Sequence, residues 1–133
     1  MIVVDTSALI ARLAGRPVRD PLRSRLDAER ELHVPHLIDV EYLNALRGLV
    51  LGGKLSADRA AESRRDYADL SLIRYAHTPL ANRIWELRNT MTAYDASFIA
   101  LAEALDASLV TCDAKLASTS GHQATLELFT PHS

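Results

Sequence analysis

The segment "IVVDTSALI" (residues 2–10) places a carboxylate directly after a short apolar run. Residues 2–4 are apolar β-formers, which is typical of a buried strand. Asp5 ends that run, two hydroxyl residues follow, and a second apolar run at residues 8–13 predicts a turn into a helix. An aspartate in this place either caps the new helix or belongs to a site at the edge of a sheet.

The rest of the chain repeats this alternation of strand and helix. Strands are predicted at residues 2–4, 32–35, 72–76, 108–111 and 125–129. Helices are predicted at residues 8–13, 21–30, 37–51, 56–70, 79–88 and 92–105, with a helical turn at 113–117. Strands separated by helices pair in parallel, with the helices covering both faces of the sheet. The pattern therefore predicts an α/β fold, a three-layer α/β/α sandwich with a mainly parallel central sheet.

Length and composition predict a single globular domain over residues 1–133. Hydrophobic residues make up 48% of the chain and charged residues 24%, which argues against disorder. The single cysteine, Cys112, excludes an internal disulfide and fits a reducing compartment. Neither a basic leader nor a membrane-length apolar run is present, so we expect a soluble, cytoplasmic protein with no membrane association.

The overall charge gives no reason to expect nucleic-acid binding. The formal net charge is −2, and thirteen of the fifteen cationic residues are arginine. Six arginines cluster early in the chain, at positions 12, 16, 19, 23, 25 and 30. They form either a basic rim around an acidic pocket or the solvated face of a helix.

Most of the seventeen acids have polar neighbours, but four acids that flank apolar segments stand out. They are Asp5, Glu41, Asp95 and Asp113. Asp5 and Asp113 each follow a predicted strand, and in parallel sheets the carboxyl ends of the strands meet at one edge, where ligand sites form. The predicted fold therefore brings at least two of these carboxylates together.

Each of these acids also has a structural interpretation. Asp5 and Asp113 would serve as helix N-caps, and Asp95 would complete a T-x-x-D capping box with Thr92. Glu41 would pair with an arginine such as Arg47. Four such acids gathered without a cation would repel one another and pay a desolvation penalty.

A hard divalent cation removes that conflict. Mg²⁺ and Mn²⁺ prefer oxygen ligands and are commonly held by a few carboxylates together with substrate phosphate. The chemistry expected of such a site is hydrolysis of a phosphodiester by a water that the metal orients and helps to deprotonate. No P-loop, zinc-ligand spacing or G-x-S-x-G motif offers a competing site.

The helix predicted at residues 37–51 is apolar on more than one side. Ile38, Tyr42 and Leu49 share one side, whereas Leu43 and Val50 lie well around from it, at about 100° per residue. Such a helix is covered on two sides. Either a second subunit covers it, or it is a deeply buried central helix.

Four segments together resemble the PIN domain, and in particular the VapC group of toxin ribonucleases of type II toxin–antitoxin systems. They are "IVVDTSAL", "PHLIDVEYLNAL", "TAYDASFIALAEAL" and "LVTCDAKL", at residues 2–9, 35–46, 92–105 and 109–116. The resemblance covers nearly the whole chain and keeps the order of the acids. It implies a compact α/β/α domain, Mg²⁺- or Mn²⁺-dependent RNA cleavage, a homodimer, and inhibition by a small VapB-like antitoxin protein.

The resemblance also implies roles for individual residues. It makes Asp5, Glu41, Asp95 and Asp113 the catalytic, metal-binding acids. Hydrogen-bonding residues expected to orient them are Thr6, Ser7, Thr111 and Asn44. Some relatives carry a further acid or amide just after the last aspartate, where this chain has Ala114 and Lys115. We therefore expect one metal ion, with a second recruited by substrate at most.

The partner surface and the RNA contacts follow as further expectations. The antitoxin is expected to lie in a groove formed by exposed apolar residues of the first helices, Leu9, Ile10 and Leu13. RNA selectivity is expected from the basic rim and from the loop at residues 15–21.

Two other functions stay open from the residues alone. "VVDTSA" resembles the nucleophile strand of haloacid dehalogenase-type phosphatases, although that group has a second aspartate where this chain has Ser7. The other is a regulatory or binding module without catalysis, in which the acids are caps and the two-sided helix is an interaction surface.

Overall fold

The computed structural model describes residues 1–15 and 20–130. Within that part of the chain, five strands form one parallel sheet in the order β3-β2-β1-β4-β5. The strands are β1 (Ile2–Val4), β2 (Leu32–Pro35), β3 (Leu72–Tyr75), β4 (Ser108–Thr111) and β5 (Leu126–Leu128). The predicted strands and their parallel pairing are confirmed.

The register of the central strands places the first acid at the carboxyl edge of the sheet. Val4 of β1 pairs with Val110 of β4, and Asp5 continues the ladder by donating its N–H to the Val110 carbonyl at 3.2 Å. Asp5 and Thr111 therefore lie side by side where the two strands end. β1 and β4 are almost wholly buried, which explains their continuous apolar sequences.

Helices cover both faces of this sheet. They are α1 (Thr6–Leu13), α2 (Asp20–Asp27), α3 (Ile38–Leu51), α4 (Ala57–Ala68), α5 (Ala81–Glu86), α6 (Ala93–Leu105) and α7 (Ala114–Ala117). α6 packs against β1, β2 and β4, with α5 beside it, whereas α1 contacts α2, α3 and α4. The α/β/α sandwich predicted from the sequence is confirmed.

α6 is the helix that lies deepest in the molecule. Its seven consecutive residues from Ala96 to Ala102 are all buried. Three of them are alanines, whose small side chains let the helix backbone approach the sheet closely. The Thr92 hydroxyl caps the helix by accepting the Asp95 N–H at 3.2 Å. This burial fixes the position of the first turn, which carries Asp95.

α3 is apolar on two opposite sides, as the sequence predicts, but it is not a central buried helix. Ile38, Tyr42 and Leu46 are buried against the domain. On the opposite side Val40 is 68% exposed and Leu43 is 49% exposed. The interpretation as a deeply buried helix is therefore wrong, because this domain leaves the second apolar side uncovered.

Several predicted helix ends differ from the structure. α2 ends at Asp27 and not near residue 30, and the helix predicted at 79–88 divides into a 3₁₀ turn (Thr78–Leu80) followed by α5. Proline at the start of that segment favours the tighter turn.

No helix in the described ranges is both long enough and apolar enough to span a membrane.

Candidate active site

An acid-lined cleft of about 380 Å³ opens at the carboxyl edge of the sheet. The four acids singled out in the sequence all line it: Asp5, Glu41, Asp95 and Asp113. They arrive from four elements, namely the end of β1, the first turns of α3 and α6, and the end of β4. The fold thus brings together residues that are up to 108 positions apart in the sequence.

Asp5 is buried and held by three donors. Its Oδ1 accepts the Ser7 hydroxyl at 2.7 Å and the Ala8 N–H at 3.0 Å, and its Oδ2 accepts the Thr111 hydroxyl. The carboxylate form can accept all three bonds. The Ala8 bond also makes Asp5 the N-cap of α1. The cap interpretation is therefore confirmed, and the same side chain also lines the cleft.

The two hydroxyls that hold Asp5 are themselves oriented by the backbone after β4. The Cys112 N–H donates to the Ser7 oxygen at 2.9 Å, and the Asp113 N–H donates to the Thr111 oxygen at 2.9 Å. Because each of these hydroxyl oxygens accepts a backbone N–H, its own proton is directed away from that N–H and can be donated to Asp5. This network joins the loop after β1 to the loop after β4.

Burial raises the pKa of Asp5, and the hydrogen bonds from Thr111 and Ser7 oppose that rise. The negative charge of Asp113 raises the Asp5 pKa further. Burial also raises the pKa of Asp95, and Asp113 adds to it. The carboxylates of the cleft therefore repel one another as they stand, and a bound cation would relieve that repulsion.

Glu41 is held by the residue that follows Asp5. The Thr6 hydroxyl donates to Glu41 Oε1 at 2.7 Å and so links the start of α1 to α3. The alternative interpretation, in which Glu41 pairs with an arginine such as Arg47, is wrong, since no ion pair to Glu41 occurs within the described ranges. Asn44 lines the cleft one turn further along the helix.

Asp113 and Asp95 differ in how their carboxylates are engaged. Asp113 Oδ1 caps α7 by accepting the N–H groups of Lys115 and Leu116 at 2.9 and 3.3 Å. Asp95 contributes its backbone N–H to the Thr92 cap, while no donor in the described chain reaches its carboxylate. Asp95 is therefore the least constrained acid of the cleft.

The donor set of the cleft suits a hard cation, because it consists of carboxylate oxygens. The four side chains stand on separate walls: in the part of the chain that the structure describes, no three His, Cys, Asp or Glu side chains surround a common point closely enough to hold an ion. Binding an ion would therefore require the side chains to move inward. Asp95, with its carboxylate unengaged, has the most freedom to do so.

Two apolar residues of the cleft were not singled out in the sequence, Ala45 and Phe98; they lie in its wall with Ile10, which was expected in the antitoxin groove. Helical spacing could have identified both, because Ala45 lies four residues after Glu41 and Phe98 lies three residues after Asp95, which places each beside its acid on the helix surface. These side chains form the apolar part of the cleft wall.

Two surface expectations need correction. Leu9 and Leu13 are buried in the core and do not form an exposed groove on the first helices, while Ile10 is half-buried in the cleft wall. Arg12 pairs with Asp27 at 3.4 Å, and Arg25 pairs with Glu127 at 2.7 Å. These two arginines therefore form ion pairs within the fold. Arg16, Arg19 and most of the predicted loop at 15–21 lie outside the described residues.

Fold and cleft together define a class of protein: a three-layer α/β/α domain with carboxylates converging at the carboxyl edge of a parallel sheet. Comparison with known proteins agrees with this class. The family model described as the PIN domain matches residues 2–121. The chain belongs to the PIN domain family.

The relatives resemble this chain over nearly their full lengths. Ribonuclease VapC9 of Mycobacterium tuberculosis is 43% identical over 119 residues, covering 90% of this chain and 91% of that protein. Ribonuclease VapC12 of the same organism is 34% identical over 128 residues, covering 96% and 98%. The crystal structure of PAE2754 from Pyrobaculum aerophilum matches with a TM-score of 0.68 at 26% identity, covering 94% of this chain and 82% of that one.

Proposed function

We propose that this protein is a divalent-metal-dependent endoribonuclease and the toxin of a toxin–antitoxin pair. The observation that carries the proposal is the single cleft that Asp5, Glu41, Asp95 and Asp113 line together. Relatives named as VapC ribonucleases, at 43% identity over 90% of the chain, support RNA as the substrate. We propose these four acids as the catalytic, metal-binding residues.

The residues around the acids would hold them in place. Thr6 positions Glu41, while the hydrogen bonds from Ser7 and Thr111 orient Asp5 and lower its pKa against the effect of burial. Asn44 would add a polar contact on the α3 wall. A bound Mg²⁺ or Mn²⁺ would supply Lewis-acid activation of a phosphodiester and offset the negative charge of the cleft. We propose one resident ion, since Ala114 and Lys115 add no further carboxylate.

Cleavage of a labelled RNA by the purified protein tests this function. We expect cleavage with Mg²⁺ or Mn²⁺ that is abolished by EDTA and falls by about a hundredfold or more in Asp5→Asn and Asp95→Asn. Asp58→Asn, which changes an exposed acid on α4, serves as the matched control and is expected to keep full activity.

The alternatives give different results in the same assay. Cleavage that survives both cleft substitutions would contradict the site assignment. A protein that neither binds Mn²⁺ in calorimetry nor cleaves RNA would be the non-catalytic binding module. A phosphoaspartate trapped on Asp5 would favour the haloacid dehalogenase-type phosphatase.

We further propose a VapB-like antitoxin protein as partner and a homodimer as the assembly. The VapC names of the relatives support the antitoxin, and the exposed apolar side of α3, with Val40 and Leu43, supports a second copy. Co-expression with the product of a short neighbouring reading frame is expected to yield a stable complex, and its absence would count against the antitoxin.

A further inference from the structure

The cleft carries too little positive charge for a polyanionic substrate. Four carboxylates line it, and every phosphodiester of an RNA adds another negative charge. Like charges a few ångströms apart repel strongly at the low effective dielectric of a partly buried cleft. A divalent ion offsets part of this charge, so a protein cation beside the cleft would have a clear role.

Most of the arginines for which the structure shows a side-chain partner make that contact away from the cleft. Five form ion pairs within the fold: Arg12, Arg25, Arg59, Arg74 and Arg83. Arg88 lies over the ring of Trp85, 4.6 Å from its centroid. Lys115 differs from all of these because it follows a cleft carboxylate by two residues and, within the described ranges, forms no ion pair.

The backbone of Lys115 is fixed while its side chain is free. Its N–H donates to Asp113 Oδ1 at 2.9 Å, which holds the residue in the first turn of α7 directly after β4. The side chain is exposed. Its ammonium charge reaches across to α6, where it opposes the raised pKa of Asp95. Lys115 is therefore an exposed cation whose backbone is bonded to Asp113, an acid that lines the cleft.

We propose that the Lys115 ammonium binds a phosphate of the RNA at the side of the cleft formed by α6 and α7. This inference rests on the proposed function and adds a substrate-contacting residue to it. A lysine ammonium is a compact point charge with three donors on a flexible stem, which suits a phosphate whose position is set by other contacts. The contact is to the backbone of the RNA and is independent of base sequence.

The test is the salt dependence of RNA binding. A fluorescein-labelled single-stranded RNA of mixed sequence is titrated with protein in Ca²⁺ buffer, and fluorescence anisotropy is measured at several salt concentrations. The variants are Lys115→Gln, the charge-retaining Lys115→Arg, and Lys54→Gln, which changes the other lysine at the exposed turn after α3. The capping bond from residue 115 is kept in each variant because it comes from the backbone N–H.

Lys115→Gln is expected to bind RNA about three- to tenfold more weakly at physiological salt. The slope of log K against log salt should fall in magnitude by about 0.7, the value for one lost phosphate contact on a single strand. Lys115→Arg and Lys54→Gln are expected to match the wild type. A lysine that only stabilised Asp95 would leave the slope unchanged.

Three results would overturn the inference. Unchanged affinity and slope in Lys115→Gln, or an equal loss in Lys54→Gln, would overturn it while leaving wild-type RNA cleavage, and so the proposed function, intact. A wild-type protein that neither binds RNA in Ca²⁺ nor cleaves it with Mg²⁺ or Mn²⁺ would overturn the proposed function and this inference with it.

Discussion

Thr111 is the residue on which the geometry of Asp5 depends most. It is wholly buried, donates to Asp5 Oδ2 and accepts the Asp113 N–H at 2.9 Å. One hydroxyl thus connects two acids of the cleft. Partners that orient metal-binding side chains typically matter almost as much as the ligands themselves.

Replacing Thr111 by valine keeps the shape of the side chain but removes the hydroxyl. The substitution leaves Asp5 Oδ2 and the Asp113 N–H without their partner, so we expect a loss of about 1–3 kcal/mol in the free energy of unfolding. RNA cleavage and Mn²⁺ affinity are each expected to fall by about 10- to 100-fold. Urea denaturation, a cleavage assay and Mn²⁺ calorimetry measure the three effects.

Thr111→Ser is the matched control for this substitution, because it keeps the hydroxyl and loses only a methyl group. It is expected to recover most of the cleavage and of the metal affinity. Equal defects in the valine and serine variants would mean that packing, and not the hydrogen bonds, accounts for the effect.

At the scale of elements, α3 shows both what the sequence determines and what it leaves open. Periodicity identified the helix and its two apolar sides, and Gly53, at φ +71°, confirms the predicted end. Periodicity reports which side chains avoid water but not which element covers them. The same ambiguity made Leu9 and Leu13 look available for a partner, although the core buries both.

In the site, the sequence predicted the positions that follow from local structure but not the contacts between residues far apart in the chain. The positions of Asp5 and Asp113 followed from the rule that ligands bind beyond the carboxyl ends of parallel strands. The contact of Thr6 with Glu41 joins residues 35 positions apart, and that of Ser7 with Cys112 spans 105. Such pairs depend on how the loops pack in three dimensions, which neither spacing nor propensity specifies.

The exposed side of α3 carries a prediction about assembly. Val40, Leu43 and Leu51 fall within one stripe at about 100° per residue, and each is at least 49% exposed. If a second copy covers this stripe, sedimentation velocity should give twice the chain mass of 14.6 kDa for the wild type, and Leu43→Lys should shift the protein to monomer.

Ala61→Lys places the same charge on the exposed surface of α4 and controls for a general effect of added charge. It is expected to leave the dimer intact. A monomeric wild type, or a Leu43→Lys variant that stays dimeric, would show that α3 is not the dimer interface.

At the scale of the whole molecule, arginine–carboxylate ion pairs join one helix to an edge strand of the sheet and another helix to its neighbour. Arg25 of α2 binds Glu127 of β5 through two hydrogen bonds, at 2.7 and 3.1 Å. Arg83 of α5 binds Glu103 of α6 in the same way, at 2.7 and 3.0 Å. Both arginines lower the pKa of their partner glutamate below its usual range. These pairs therefore make stability depend on pH.

The direction of that dependence follows from the lowered pKa of Glu103. Its contribution to stability is fully present above the unfolded-state pKa of about 4.5 and is lost as the pH falls through the lower folded-state pKa. Arg83→Gln is expected to reduce the free energy of unfolding by about 1 kcal/mol at pH 7, a magnitude typical of a partly exposed pair. The difference from the wild type should shrink as the pH falls through the lowered folded-state pKa of Glu103, because the pair loses its negative charge.

Urea denaturation of the two proteins between pH 3 and 7 measures this difference, and the shared contributions of the cleft acids Asp5 and Asp95 cancel in it. Arg88→Gln is the matched control, because the Arg88 guanidinium contacts the Trp85 ring and forms no ion pair within the described ranges. Its effect on stability should therefore be the same at both ends of the pH range. An Arg83→Gln deficit that persists unchanged at pH 3 would mean that Arg83 stabilises the fold through its bond to the Gly121 carbonyl, between α7 and β5, and not through Glu103.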